Sequence, residues 1–413
     1  MISRREFLSA LASMAPALSG LGVCLSEPHW LRIISDADAG NVAASEPLAE
    51  IIRRAPLARF WTSPALGAAG CSECHAGAAI KPGQPYVHKD RRVKCLLCAH
   101  GCLIESGQRG RCRARMNVNG ELRSLVYGRP VAIHVDPIEK KPFYHFLPGA
   151  TTYSLATSGC PLRCKFCQNW EISQAAPEDY RSAHAPPESI VQAARSRQAS
   201  VIAYTYNEPI VFAEYLIDIA RIARKERLRS VLVSCGLMQE APLAEMCEVL
   251  DAIKIDLKGY SESFYRQVCS AELKPVLRAI KQVAGSRSHL EIVNLVVPTL
   301  NDDDAMLKGL IDWIMGEIGP DVPVHFSRFH PNYQMRNLPP TPTATLERAR
   351  DMAIAGGIHY AYVGNVPGHP GNHTYCPACK KAVIRRRGFF IEDMHVKNGR
   401  CTFCRQKIAG VWT

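Results

Sequence analysis

From about residue 150 onward, apolar runs of strand length alternate with amphipathic segments of helix length, which confines the chain to folds built on a parallel sheet. The strand-length runs are Tyr153–Thr157, Val201–Tyr206, Ser230–Ser234, Ala252–Leu257, Leu290–Val297, Val322–Ser327 and His359–Val363. Helices are predicted between them, among them Val211–Arg227 and Asp304–Ile318, and Pro342–Ala355 with Thr341 as its N-cap. Polar motifs fall where the strands end: a cysteine loop after the first, Tyr204-Thr-Tyr-Asn-Glu-Pro209 after the second, Ser234-Cys-Gly236, Asp256-Leu-Lys258, Val296-Val-Pro298 and Ser327-Arg-Phe-His-Pro331 after the next four. In α/β barrels the reactive side chains sit at the carboxyl ends of strands. The pattern predicts an α/β fold, a partial (βα)6 TIM-like barrel over 151–370, with its site at that rim.

The cysteine loop, Ser158-Gly-Cys-Pro-Leu-Arg-Cys-Lys-Phe-Cys-Gln-Asn-Trp170, has the spacing C-x3-C-x2-C at Cys160, Cys164 and Cys167. Four thiolates close an iron–sulfur cube, whereas three leave one iron open to a ligand. A zinc knuckle, or chance clustering in a cysteine-rich chain, is the alternative. The chain's 17 cysteines fall in groups with metal-ligand spacing and do not resemble a disulfide framework. Cys376, Cys379, Cys401 and Cys404 have the spacing of a zinc-ribbon or rubredoxin-like knuckle pair, with zinc expected and iron the alternative. Some forty residues bury too little core alone, so a metal there is expected to be structural. Cys95, Cys98, Cys102 and Cys112 offer another four-ligand set, for zinc or a second [4Fe–4S] cluster. Cys71-Ser-Glu-Cys74-His75 matches the C-x2-C-H attachment motif of c-type haem; a further metal or redox pair, or no special role, are its other readings.

The formal charge of +12 is spread along the 413 residues rather than blocked. That describes a solvated surface, and no nucleic-acid-binding motif accompanies it. Ser3-Arg-Arg-Glu-Phe-Leu8 precedes an apolar run that ends near Val23, similar to a twin-arginine export signal. Cys24 follows Val23, a poor lipobox fit, and stays unassigned. The organisation expected is a signal at 1–26, a linker at 27–70, a cysteine-rich module at 71–150 with strand-like runs Leu122–Tyr127 and Val131–Val135, the barrel at 151–370 and a four-cysteine knuckle at 371–413. The signal points to export or membrane association, while thiolate metal sites favour a reducing, cytoplasmic compartment.

The three-cysteine loop resembles the signature of radical S-adenosylmethionine (SAM) enzymes. From about 90 to 413 the chain resembles the radical SAM component of the AmmeMemoRadiSam system, which is related to pyruvate formate-lyase activating enzymes. Carrying the resemblance are Cys95-Leu-Leu-Cys-Ala-His-Gly-Cys102, His134-Val-Asp-Pro-Ile-Glu-Lys-Lys-Pro142, Phe166-Cys-Gln-Asn-Trp170, Ile255-Asp-Leu-Lys258 and His325-Phe-Ser-Arg-Phe-His-Pro331. It implies a [4Fe–4S] cluster on Cys160, Cys164 and Cys167, SAM on its open iron, and a 5′-deoxyadenosyl radical that abstracts hydrogen. It places Asn207 and Glu208 at the SAM amino group and Ser234, Cys235 and Gly236 near the ribose, where Cys235 departs from the family's usual Asn. Asp256 and Lys258 match an element near the SAM carboxylate, with Asp256 also a candidate for a monovalent cation, and Arg328 and His330 match a rim element that contacts SAM or substrate. The implied partners are a low-potential electron donor of flavodoxin or ferredoxin type and Memo-like and AMMECR1-like proteins. The relationship to activating enzymes suggests a glycyl-radical protein as substrate, with another protein or a small molecule equally open, and the sequence names none. The contrasting expectation is a non-catalytic iron–sulfur or electron-transfer protein on the same scaffold.

Overall fold

The computed structural model describes residues 46–63 and 91–413. The twin-arginine segment, Cys24 and the Cys71/Cys74/His75 motif lie outside the described residues, as do parts of the expected linker and cysteine-rich module.

A short helix, α1 (Leu48–Arg54), leads into three brief antiparallel strands, β1 (Trp61–Thr62), β2 (Val93–Cys95) and β3 (Leu103–Ile104), followed by the hairpin β4 (Arg115–Val118) and β5 (Glu121–Ser124). Ile51, Ala55, Met116 and Leu125 form a small separate core beneath this layer.

The main sheet has eight strands in the order β13-β12-β11-β10-β9-β8-β7-β6. They are β6 (Ala132–Pro137), β7 (Thr151–Ala156), β8 (Val201–Tyr204), β9 (Arg229–Ser234), β10 (Ala252–Asp256), β11 (His289–Val296), β12 (Val324–Arg328) and β13 (Ala361–Gly364). β6 pairs antiparallel with β7 and every later neighbour is parallel. Each predicted strand is present with ends shifted by a few residues. The run at Val131–Val135 joins this sheet as its antiparallel edge, so the sheet extends across the boundary expected at 150/151.

Six helices cross between the strands: α2 (Pro187–Ser196), α3 (Ala213–Lys225), α4 (Glu240–Val249), α5 (Leu273–Ala284), α6 (Asp304–Glu317) and α7 (Thr343–Ala355). In α5 the buried residues Leu273, Val276, Ala279, Ile280 and Val283 recur at helical spacing and form one apolar face. Asp303 caps α6 by accepting the Met306 N–H at 2.8 Å. Thr341 does not cap α7 as expected: its hydroxyl donates to Val296 O at 2.6 Å and accepts Phe329 N–H at 3.0 Å, tying two strand ends together. The strand order never reverses, and right-handed crossovers then place successive helices on one face. The other face holds the alternate residues. On β10, Ile253 and Ile255 are fully buried, while Lys254 and Asp256 point into a cavity.

The C-terminal segment adds β14 (Thr374–Tyr375), β15 (Ala382–Arg387) and β16 (Phe390–Met394) in one small sheet and β17 (Val396–Lys397) with β18 (Arg400–Cys401) in another. Its core is continuous with the main body: Tyr144, Tyr360 and Tyr362 pack with Cys376, Val383, Ile384 and Cys401. Among the described residues, no helix is long and apolar enough to cross a membrane.

Candidate active site

The carboxyl ends of the strands surround a cavity of about 420 Å³. The three-cysteine loop after β7 forms one wall, with Cys160, Cys164 and Cys167 all lining the space. The loop's backbone is pinned from outside, because Arg163 N–H donates to Cys269 O and Lys165 N–H to Val268 O, both at 3.0 Å. Gly159 must be glycine: its φ is +94°, and a Cβ there would sit 2.4 Å from Cys112 O. Burial pushes the thiols of Cys160 and Cys167 up, while a hydrogen bond from the Cys269 thiol draws Cys164 down.

The end of β8 supplies the second wall. Asn207 Nδ2 donates to Gly159 O at 2.9 Å, which fixes the amide orientation. Asn207 Oδ1 is buried and has no hydrogen-bond partner in the protein. Glu208 is almost fully buried and reaches across to the end of β9, accepting Ser234 Oγ–H at 2.7 Å and Cys235 N–H at 2.6 Å. Burial nevertheless holds its carboxyl above the usual range. Most of its acceptor capacity is spent inside the protein, so Glu208 shapes the Ser234-Cys235-Gly236 turn. Tyr206 precedes these residues at φ +70°, a left-handed conformation that a bulky side chain adopts only under constraint.

Asp256, at the end of β10, lies between two lysines. Lys254 Nζ is 2.7 Å from Oδ1 and Lys258 Nζ is 2.8 Å from Oδ2. Burial would raise the Asp256 carboxyl, but the two ammonium groups outweigh it and hold it well below the usual range. Lys254 and Lys258 thus flank the Asp256 carboxylate from both sides.

A fourth group enters from β6 and the turn after it. Lys141 Nζ donates to Asp136 Oδ2 at 2.7 Å and to Tyr206 Oη at 3.1 Å, and Tyr206 Oη–H donates to Asp136 Oδ2 at 2.7 Å. Burial lowers Lys141 to about 8, partly offset by Asp136. Sequence reasoning gave Lys254, Lys141, Asp136 and Tyr206 no role. The signals were available: a lysine within the apolar β10 run Ala-Ile-Lys-Ile, and the charged stretch His134–Pro142 quoted without a function.

Arg328 and His330 are not brought to this cavity. Arg328 Nε donates to Thr341 O at 2.8 Å, and His330 is exposed. Away from the cavity, the sulfurs of Cys376, Cys379, Cys401 and Cys404 all lie within 4.8 Å of one another. Cys376 Sγ is 3.5 Å from Cys404 Sγ, and Cys379 Sγ is 3.8 Å from Cys401 Sγ. With metal–sulfur bonds of about 2.3 Å in a tetrahedron, neighbouring sulfurs are about 3.8 Å apart. The set can hold one ion. Cys95, Cys98, Cys102 and Cys112 also converge, around a different void.

Residues 154–311 match the Radical SAM superfamily. Over 321 residues the chain is 42% identical to an uncharacterized protein, MJ0808, of Methanocaldococcus jannaschii, covering 77% of this chain and 96% of that one. The chain belongs to the radical SAM superfamily. It is also similar to the pyruvate formate-lyase-activating enzyme of Listeria monocytogenes, 23% identical over 164 residues, or 38% of this chain and 66% of that one. A solved structure of a radical SAM methyltransferase from Sphaerobacter thermophilus aligns with 53% of this chain and 67% of its own at 16% identity and TM-score 0.43. Radical SAM membership implies a [4Fe–4S] cluster and SAM. The cavity suits both. Three thiols of one loop face it, and the unpartnered Asn207 Oδ1 offers an acceptor to an amino group.

Proposed function

We propose that this chain is an enzyme that holds a [4Fe–4S] cluster on Cys160, Cys164 and Cys167 and presents SAM to it in the cavity, for hydrogen abstraction from a substrate seated against Lys141. Asn207 Oδ1 is the observation that carries this reading: a buried acceptor without a partner costs stability unless a donor fills it, and the SAM ammonium is such a donor. When bound, cluster and SAM would supply a 5′-deoxyadenosyl radical through one-electron cleavage of the sulfonium.

The chain's own residues bind and orient. Asn207 grips the cluster loop through Gly159 O while offering Oδ1 to the ligand. Glu208 positions the Ser234–Gly236 turn beside the nucleoside. Lys258, fixed by Asp256, faces the SAM carboxylate as a cation. On the β6 side, Lys141 spends two of its three N–H donors on Asp136 and Tyr206, leaving one for an acceptor on the substrate. The unreversed strand order supports a partial barrel that curls around this space. The Cys376 set takes zinc in a structural role. A one-electron donor of flavodoxin or ferredoxin type reduces the site, and the substrate is a protein glycine or a small molecule handled with Memo-like and AMMECR1-like partners.

The test is anaerobically reconstituted protein with SAM and dithionite, assayed for 5′-deoxyadenosine by mass spectrometry. Nucleoside is expected above the protein-free control. A fully loaded cluster that yields none would overturn the reading in favour of a non-catalytic electron carrier.

A further inference from the structure

The two four-cysteine sets differ in how far apart they hold their sulfurs. Among the described residues, only the Cys376 set brings three or more metal-ligating atoms within 4.8 Å of one another. Cys95, Cys98, Cys102 and Cys112 do not collapse in that way, yet all four bound one enclosed void of about 20 Å³. A single tetrahedral ion leaves no void between its sulfurs, because four bonds of about 2.3 Å draw them into contact. Thiols that surround a space fit several metal atoms bridged by sulfide.

Two further features suit such an occupant. Arg115 is 1% exposed, and its Nη1 lies 3.6 Å from Cys95 Sγ while Nη2 pairs with Glu214. A buried guanidinium facing sulfur supplies charge and a hydrogen bond to a thiolate-bound cluster. The void also shares a wall with the active-site loop: Pro161, next to Cys160, lines it. His100 Nε2 and Arg111 Nε hold Pro161 O at 3.0 and 3.1 Å.

We propose that Cys95, Cys98, Cys102 and Cys112 hold a second iron–sulfur cluster, ligated by protein on every side and therefore closed to SAM. This assignment stands apart from the function proposed above. Losing it would leave nucleoside formation at the three-cysteine loop untouched as a question.

The decisive sample is the full chain carrying Cys160→Ala, Cys164→Ala and Cys167→Ala, purified anaerobically and analysed for iron, zinc and acid-labile sulfide. About four irons with about four sulfides per chain are expected to remain, with an EPR signal on reduction. Adding Cys98→Ala and Cys112→Ala should remove the sulfide. Iron without sulfide, or about two zinc ions per chain and no sulfide, would overturn the proposal, since both describe single-ion sites. If the triple variant fails to fold, the unaltered protein decides: about eight sulfides support two clusters, and about four leave room for only one.

Discussion

The three-thiol loop and the C-terminal four-thiol knuckles present the same side chain in opposite arrangements. In the knuckles each half is the same tight turn. Lys380 and Arg405 adopt φ of 60° and 68°, and their N–H groups return to Cys376 O and Cys401 O at 3.0 and 2.9 Å. The sulfurs face one another, and the pair divides: a backbone N–H from Lys381 lowers Cys379 to about 7, while burial pushes Cys376 up to about 12. In the loop, by contrast, the sulfurs face a cavity of about 420 Å³ whose remaining walls are an orphan acceptor, paired lysines and a buried carboxylate. A metal in the knuckles has nothing left to bind, whereas one on the loop meets side chains already held for a ligand.

Breaking one thiol in each place should separate the two roles. Cys164→Ala is expected to lower 5′-deoxyadenosine formation at least about 1000-fold, roughly 4 kcal/mol, because a cluster with two thiolates is not retained. The thermal midpoint should move by less than about 5 °C, and zinc should stay at its parental level. Cys401→Ala should do the reverse. Zinc is lost, the midpoint falls by roughly 10 °C, and loop iron persists in the cold. Metal analysis and scanning calorimetry on both variants check this. If either substitution emptied both sites, the division into an open reactive site and a closed structural one would fail.

Within the cavity the contrast sharpens at Asn207. Asn207→Leu removes the orphan acceptor and the grip on Gly159 O together, and KM for SAM should rise about 10-fold or more, the worth of a hydrogen bond to a charged group. Asn207→Asp keeps an acceptor but gives up the donor to Gly159 O, and its KM should fall between the two. Steady-state nucleoside formation against SAM concentration distinguishes them, and equal KM values for all three proteins would remove Asn207 from the SAM site.

Much of this arrangement is visible in the linear chain, and what is hidden shares one cause. The parallel strands are legible because six of the seven apolar runs are closed by a polar motif, and the loop of Cys160, Cys164 and Cys167 because its three thiols lie within eight residues. Lys254 escapes because a strand shows only alternation, and nothing local says that its even positions face a cavity rather than solvent. Asp136, Lys141 and Tyr206 meet across 65 to 70 residues through the antiparallel strand β6, whose place in the main sheet no local pattern announces. The Cys269 thiol beside Cys164 is likewise a contact of the fold. Arg328 and His330 are strand-end residues matched to a motif that do not line this cavity, because strand-end position does not decide which way a side chain turns.

The smallest effect concerns how the knuckle segment is attached. His145 is fully buried where this segment meets the sheet: its Nδ1 faces Ala409 O and its Nε2 faces Tyr362 Oη. A carbonyl at one nitrogen and a hydroxyl at the other suit a neutral ring. The ring of Trp412 lies 5.5 Å away, and Glu291, His289, Arg386 and Tyr360 complete the surroundings. Burial lowers His145 to about 3, against the nearby Glu291 carboxylate, which pulls the other way. Below pH about 6.5 the unfolded chain takes a proton that the folded ring refuses. The contribution is therefore complete above that pH and declines as pH falls toward 3, by about 1 kcal/mol per pH unit. A metal held by the four thiols would also be released by acid, so the parent alone cannot report this. His145→Gln retains a donor and an acceptor but no titrating group, and it keeps the four cysteines. Urea unfolding followed by tryptophan emission between pH 7 and 5 should show the parent losing about 1 to 2 kcal/mol more than the variant. Parallel declines would mean that acid acts through the metal alone.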